Sequence, residues 1–176
     1  MRKIPNSELN RPSLQDYKKT NKLPIVVVLD NIRSSNNVGS VFRTSDAFLV
    51  EKILLCGITA TPPNKDIHKT ALDAEKSVEW QHYQSTEDAV KQLQNNGYIV
   101  YAIEQVEKSI SLIDFQPKPN EKIAIVFGNE VKGVKQSVVN ICDHAIEIPQ
   151  YGTKHSLNIS VSAGIVIWDI FKKLSQ

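Results

Sequence analysis

Three short stretches of this chain set polar side chains beside glycine or proline, where a folded backbone can present them to a ligand. The first is Asn37-Val-Gly39-Ser-Val-Phe-Arg43. A guanidinium keeps its proton at ordinary pH and holds a phosphate or a developing oxyanion well. Taken alone, Arg43 reads more simply as a surface residue of an amphipathic helix. The second is Gly128-Asn-Glu130-Val-Lys-Gly133-Val-Lys135. It misses the phosphate-binding loop, in which Lys follows the second Gly directly and Ser or Thr comes next. Here Val134 intervenes and Gln136 follows Lys135, and no G-x-G-x-x-G occurs anywhere, so NTPase and ordinary dinucleotide readings are set aside. Glu130 is the only carboxylate of that loop; by itself it is a helix-start Glu. The third runs from Ile148-Pro149 through Gly152 to Ser156-Leu157-Asn158. Pro149 cannot donate to a central ladder and closes a strand, and Gly152 is free to take a positive φ. Ser156 stands where a helix N-cap belongs, with Leu157 opening a long apolar segment. Ser156 and Asn158 then lie at the mouth of that helix as part of a site.

The elements around these stretches alternate. Residues 1–22 are polar, a loose arm with a helical turn after Pro12-Ser13. Pro24–Leu29 is a continuous apolar run, as expected of a strand buried on both faces. An Asn- and Ser-rich loop leads to a helix from Val38 that turns Val41, Phe42, Ser45 and Phe48 inward. Lys52–Cys56, Val78–Tyr83, Tyr98–Ile103, Lys122–Phe127 and Ala145–Ile148 read as further strands, and Thr59–Asp73 as irregular. Ser85-Thr86-Glu87-Asp88 starts a helix that Gly97 ends. Another helix follows Gly128 and runs to about Cys142. From Leu157 onward, small and β-branched residues surround the last helix on all sides, the pattern of a buried helix. This rhythm predicts an α/β domain with a mostly parallel sheet flanked by helices, which binds ligands at the C-terminal ends of its strands.

With 176 residues, 41% of them apolar, the chain can bury one core. Its net charge of +2 is too small to demand a polyanion. Residues 1–22, however, hold six basic side chains against Glu8 and Asp16, a basic arm suited to a phosphate backbone. Cys56 and Cys142 are isolated, which argues for reduced thiols and against zinc. No apolar h-region follows Met1-Arg2-Lys3 and no run is long enough to span a bilayer, so a cytoplasmic protein without membrane contact is expected.

Each stretch is weak alone, but together and in this order they are specific. Asn37-x-Gly39-xxx-Arg43, Phe127-Gly128-x-Glu130-xx-Gly133 and Ile148-Pro149-xx-Gly152-xxx-Ser156-Leu157-Asn158-Ile-Ser160-Val161 resemble the SpoU/TrmH family of RNA methyltransferases in the SPOUT superfamily. The likeness covers Pro24 to Lys173, dividing the chain into the basic arm, 1–22, and a methyltransferase domain, 23–176. Ser35 stands where many members carry Pro, a change in loop stiffness rather than chemistry. The resemblance implies a C-terminal trefoil knot that holds S-adenosylmethionine, a homodimer, and transfer of a methyl group to a ribose 2′-OH of RNA without a metal. It places Gly128, Ile148 and Leu157 against the cofactor. It makes Asn37, Arg43, Glu130, Ser156 and Asn158 the catalytic and RNA-positioning set, with Arg43 favoured as the group that stabilises the developing alkoxide. The absence of an RNA-binding domain ahead of Pro24 favours tRNA slightly over rRNA. Two alternatives remain beside it: methylation of a base by a SPOUT relative, and an RNA-binding protein without turnover.

Overall fold

The computed structural model describes residues 1–175. Seven strands form one sheet: β1 (Leu23–Asp30), β2 (Val50–Cys56), β3 (Glu79–Tyr83), β4 (Ile99–Ile103), β5 (Ile110–Ser111), β6 (Ile123–Phe127) and β7 (His144–Glu147). Their order is β3-β2-β1-β6-β4-β7-β5, and every pairing is parallel. All five residues of β6 and six consecutive residues of β1 are buried, as their unbroken apolar runs require of strands covered on both faces.

The helices are α1 (Leu14–Lys19), α2 (Ser35–Ala47), α3 (Lys65–Ala71), α4 (Ala74–Ser77), α5 (Thr86–Asn95), α6 (Gln136–Val139) and α7 (Ile159–Leu174). Helices α2, α3, α4 and α7 pack on one face through a core that includes Val41, Phe42, Ile67 and Val166. On the other face, α5 and α6 close over Ala89, Val90, Leu93 and Val138. The result is the expected α/β arrangement of a parallel sheet between helical layers.

Several boundaries differ from the sequence reading. Helix α2 begins three residues before Val38, because the Ser34 hydroxyl accepts from the Asn37 amide and caps it there. Thr59–Asp73 is not irregular: the Asn64 side chain accepts from the Asp66 and Ile67 amides and starts α3. The helix expected from Gly128 to Cys142 shrinks to the four residues of α6. Before it, Asn129 and Gly133 pair through two backbone hydrogen bonds of 3.0 and 2.8 Å and make a tight turn. In α7 the cap is Asn158, whose Oδ1 accepts from the Ser160 amide at 2.8 Å; Ser156 lies in the loop before it. Gly152 is absent from the residues at positive φ. Within the arm, the turn after Ser13 is α1, and its Tyr17 is buried.

One crossing positions the site. Strands β4 and β5 lie on opposite sides of β7, and Ile146 pairs with both Ile103 and Ile110. Residues 104–109 must therefore cross the C-terminal end of β7. The Glu104 amide donates to the Ile146 carbonyl at 3.1 Å and the Leu112 amide to the Glu147 carbonyl at 2.9 Å, fastening this strap. Among the described residues no helix is long and apolar enough to cross a membrane.

Candidate active site

A cleft of about 730 Å³ opens at the C-terminal ends of β4, β6 and β7. The strap, the turn from Gly128 to Val134, and the segment from Glu147 to Ile159 form its walls. Five of the predicted residues that line it come from two loops: Gly128, Glu130, Ile148, Ser156 and Leu157; Asn158 joins them at the start of α7. Asn37 and Arg43 are not on its wall.

Asn37 is nonetheless tied to it. Its Nδ2 donates to Glu130 Oε1 at 3.1 Å, and its Oδ1 accepts from Asn158 Nδ2 at 3.4 Å. One chain of hydrogen bonds thus links the loops after β1, β6 and β7. Glu130 also accepts from the Arg33 and Ser34 amides, each at 3.0 Å, and so places its charge on the N-terminus of α2. Partial burial pushes the Glu130 carboxyl up. The amides of Arg33, Ser34 and Glu130 itself, with the Asn37 side chain, outweigh this and hold it below the ordinary value. Glu130 is therefore a fixed anion that fastens α2 to the cleft rather than a proton donor. Arg43 lies six residues beyond Asn37, ~9 Å along the helix. It is exposed and has no hydrogen bond or ion pair among the described residues.

Two glycines are required by close backbone approaches within the chain itself. A Cβ at Gly128 would lie 2.0 Å from both the Gly133 carbonyl carbon and the Val134 nitrogen. Gly128 therefore lets the turn fold onto itself, and a side chain there would break the cleft wall before reaching any ligand. A Cβ at Gly39 would meet Thr70 and the Ile67 carbonyl, so this glycine serves the contact of α2 with α3.

Glu104 was missed by the sequence reading. Its carboxylate lines the cleft and accepts from the Gln105 and Val134 amides at 2.9 and 3.0 Å, joining strap to turn. A carboxylate directly after a strand was the available signal. Asn129, also missed, donates to the Asn31 carbonyl at 2.8 Å and accepts from the Val131 and Lys132 amides. The thiols of Cys56 and Cys142 are both pushed up to about 12 by burial, which removes them as nucleophiles.

An α/β protein with its polar residues gathered at a strapped strand end invites comparison with known proteins. The model of the SpoU rRNA Methylase family matches residues 24–168, and the chain belongs to that family. An uncharacterised tRNA/rRNA methyltransferase of Borreliella burgdorferi is 29% identical over 92% of this chain and 69% of its own length. A 23S rRNA (guanosine-2′-O-)-methyltransferase of Vibrio vulnificus is 27% identical over 96% of this chain and 67% of its own. The chain spans about two thirds or less of the curated relatives it matches. Among solved structures, an AdoMet-bound rRNA methyltransferase from Sinorhizobium meliloti superposes with a TM-score of 0.80 at 23% identity, over 90% of this chain and 60% of that one.

Proposed function

We propose that the chain is an S-adenosylmethionine-dependent methyltransferase acting in the cytoplasm on a ribose 2′-OH of structured RNA, with tRNA ahead of rRNA as substrate. The observation that carries this reading is the Asn158–Asn37–Glu130 chain, which fixes α2 against the cleft and leaves Arg43 unpaired on the same helix. The cleft fits the cofactor in size. Its apolar wall (Phe127, Ile148, Ile159) suits an adenosyl group, and its carboxylates, Glu104 among them, suit a sulfonium. Gly128, Ile148 and Leu157 would hold the cofactor, Gly128 by shaping the wall. When bound, it supplies an electrophilic methyl group.

The remaining work falls to the protein. A ribose hydroxyl reacts only when aligned with the methyl and relieved of its proton. Arg43 holds the substrate phosphate and stabilises the developing alkoxide, since a free guanidinium is a very weak base. As the O–CH3 bond forms and the S–CH3 bond breaks, the proton passes to solvent water and the cofactor would leave as a neutral thioether. Ser156 and Asn158, exposed at the cleft mouth, orient the ribose by hydrogen bonds. The basic arm adds phosphate contacts, and a second copy of the chain completes a homodimer. The test is methyl transfer from labelled S-adenosylmethionine to bulk tRNA and rRNA, followed by nuclease digestion and mass spectrometry. A methyl group that stays with the ribose after the base is removed supports the reading. One that leaves with the base makes the chain a base methyltransferase, and absence of transfer makes it a binding protein.

A further inference from the structure

A second cavity, of about 640 Å³, lies away from the cleft at the β3 edge of the sheet. Trp80 of β3 pairs with Ile53 of β2, whose side chain belongs to the core under α2, α3 and α4, so the indole stands on that face. It forms one wall at 36% exposure, and Pro62 and Pro63 form another. At the rim are Lys65, which has no ion pair among the described residues, and Lys76, which holds Asp73 Oδ1 at 2.5 Å. Inside is Glu75. Its side chain is only 9% exposed, its Oε1 meets His68 Nδ1 at 2.7 Å, and its Oε2 is buried without a hydrogen-bond partner.

We infer that this cavity is a subsite for one unpaired nucleotide of the substrate RNA, its base stacked on Trp80 and its Watson–Crick edge turned to Glu75. The identity of the ligand rests on the RNA methyltransferase reading. Each part of a nucleotide finds its complement. A flat aromatic wall takes the face of a base, Lys65 takes a phosphate, and a carboxylate, which can only accept, selects an edge rich in donors. Guanine, with adjacent N1–H and N2–H groups, fits this best. Glu75 Oε2 is a buried acceptor without a partner, and a rotation of the carboxylate toward the cavity gives it a base donor. His68, Asp73 and Glu75 offer three atoms within 4.8 Å of one another, a spacing that a metal ion could use. The Lys76 ammonium already occupies Asp73, however, and a fixed cation beside the ion opposes it. The slot communicates with the candidate active site through α3, whose Thr70 hydroxyl donates to the Asn36 carbonyl at 2.9 Å, next to Asn37. Strand β3 is three strand spacings from β6, ~14 Å, so the two positions take different nucleotides of one RNA.

The experiment titrates the full chain with the four nucleoside 5′-monophosphates, followed by tryptophan fluorescence and calorimetry. GMP should quench and bind most tightly. Trp80→Ala should abolish this, Trp80→Tyr should keep it, and Glu75→Gln should remove the preference for GMP. With acceptor RNA, Trp80→Ala should raise KM roughly 5- to 100-fold, the loss of one stacked base, at unchanged kcat. No binding of any nucleotide, or binding indifferent to Trp80→Ala, overturns the inference. So does His68-dependent binding of Mn²⁺ or Zn²⁺ without nucleotide binding, which would make the cavity a metal site. Nucleotide binding at Trp80 in a protein that transfers no methyl group would support the subsite and sink the enzyme reading instead.

Discussion

Asn37 and Arg43 divide the work of a single helix. Both polar atoms of the Asn37 amide are engaged, one by Glu130 and one by Asn158, so Asn37 locates α2 relative to the cleft. Arg43 is engaged by nothing in the described chain and projects from a backbone that Glu130 has already fixed. A guanidinium with no competing partner is free to meet an anion that appears only during reaction. Arg43→Ala should therefore cut methyl transfer by roughly 10²- to 10³-fold. It should leave cofactor affinity alone, because Arg43 does not line the cleft. An exposed side chain without partners also predicts a stability change within about 0.5 kcal/mol. Arg43→Lys should fail to rescue, since a point charge does not reproduce a planar two-pronged contact. Single-turnover methylation at saturating cofactor and RNA measures this, and a rate within about threefold of wild type removes Arg43 from the chemistry.

Beyond its own Asn129–Gly133 hydrogen bonds, the turn that walls the cleft is fastened by three carboxylates distant in sequence. Asp30 Oδ2 accepts from the Lys135 amide at 3.1 Å while its Oδ1 accepts from Thr86 at 2.6 Å. Glu104 holds the Val134 amide, and Glu87 accepts from Ser137 Oγ at 2.7 Å and Lys135 Nζ at 2.9 Å. Asp30 and Lys135 are 105 residues apart, which is why the sequence showed the turn's residues but gave it a helix. The strands were legible for the opposite reason: runs such as Ile25–Leu29 carry their own signal of burial. Helix α3 escaped notice because only Ile67 and Ala71 point inward from its seven residues, behind a conspicuous pair of prolines. The Ser137 hydroxyl, then Lys135, hold the Glu87 carboxyl down to about 2 from an ordinary 4.5. Because the folded value is the lower one, the unfolded chain takes up the proton first as pH falls. The stabilisation is complete above about pH 4.5 and disappears as pH drops towards 2. Allowing for solvent screening of a partly exposed pair, it amounts to about 1–2 kcal/mol. Urea unfolding of wild type and Glu87→Gln from pH 6 down should show a gap that closes across this window; parallel curves would mean Glu87 does not hold the turn.

At the scale of the molecule, α7 is buried on only one side. Ile159, Ala163, Val166, Ile167 and Ile170 enter the core, but Val161, Ile165 and Trp168 form a stripe on the other side, 50%, 38% and 50% exposed. The all-round apolar composition thus exceeds what one chain covers. Trp168 extends the stripe by stacking on Phe171 at 5.8 Å and leaning on Phe48 at 5.3 Å. Gly164, whose missing Cβ would meet nothing within 4 Å, leaves room there for another backbone to approach. A contiguous apolar stripe at i, i+4 and i+7 is the surface of a helix that packs against something. A second copy of the same helix about a two-fold axis is the occupant proposed here. Ile165→Arg separates this from a chance exposed patch. In a monomer the substitution sits on the surface and should change stability by less than about 0.5 kcal/mol. In a dimer it places like charges across the axis inside an apolar contact, at a cost of several kcal/mol. Sedimentation should therefore find wild type as a dimer and Ile165→Arg as a folded monomer with the thermal stability of an isolated chain. A wild type that sediments as a monomer while fully active, or an Ile165→Arg protein that remains a dimer, would show that α7 does not form the interface.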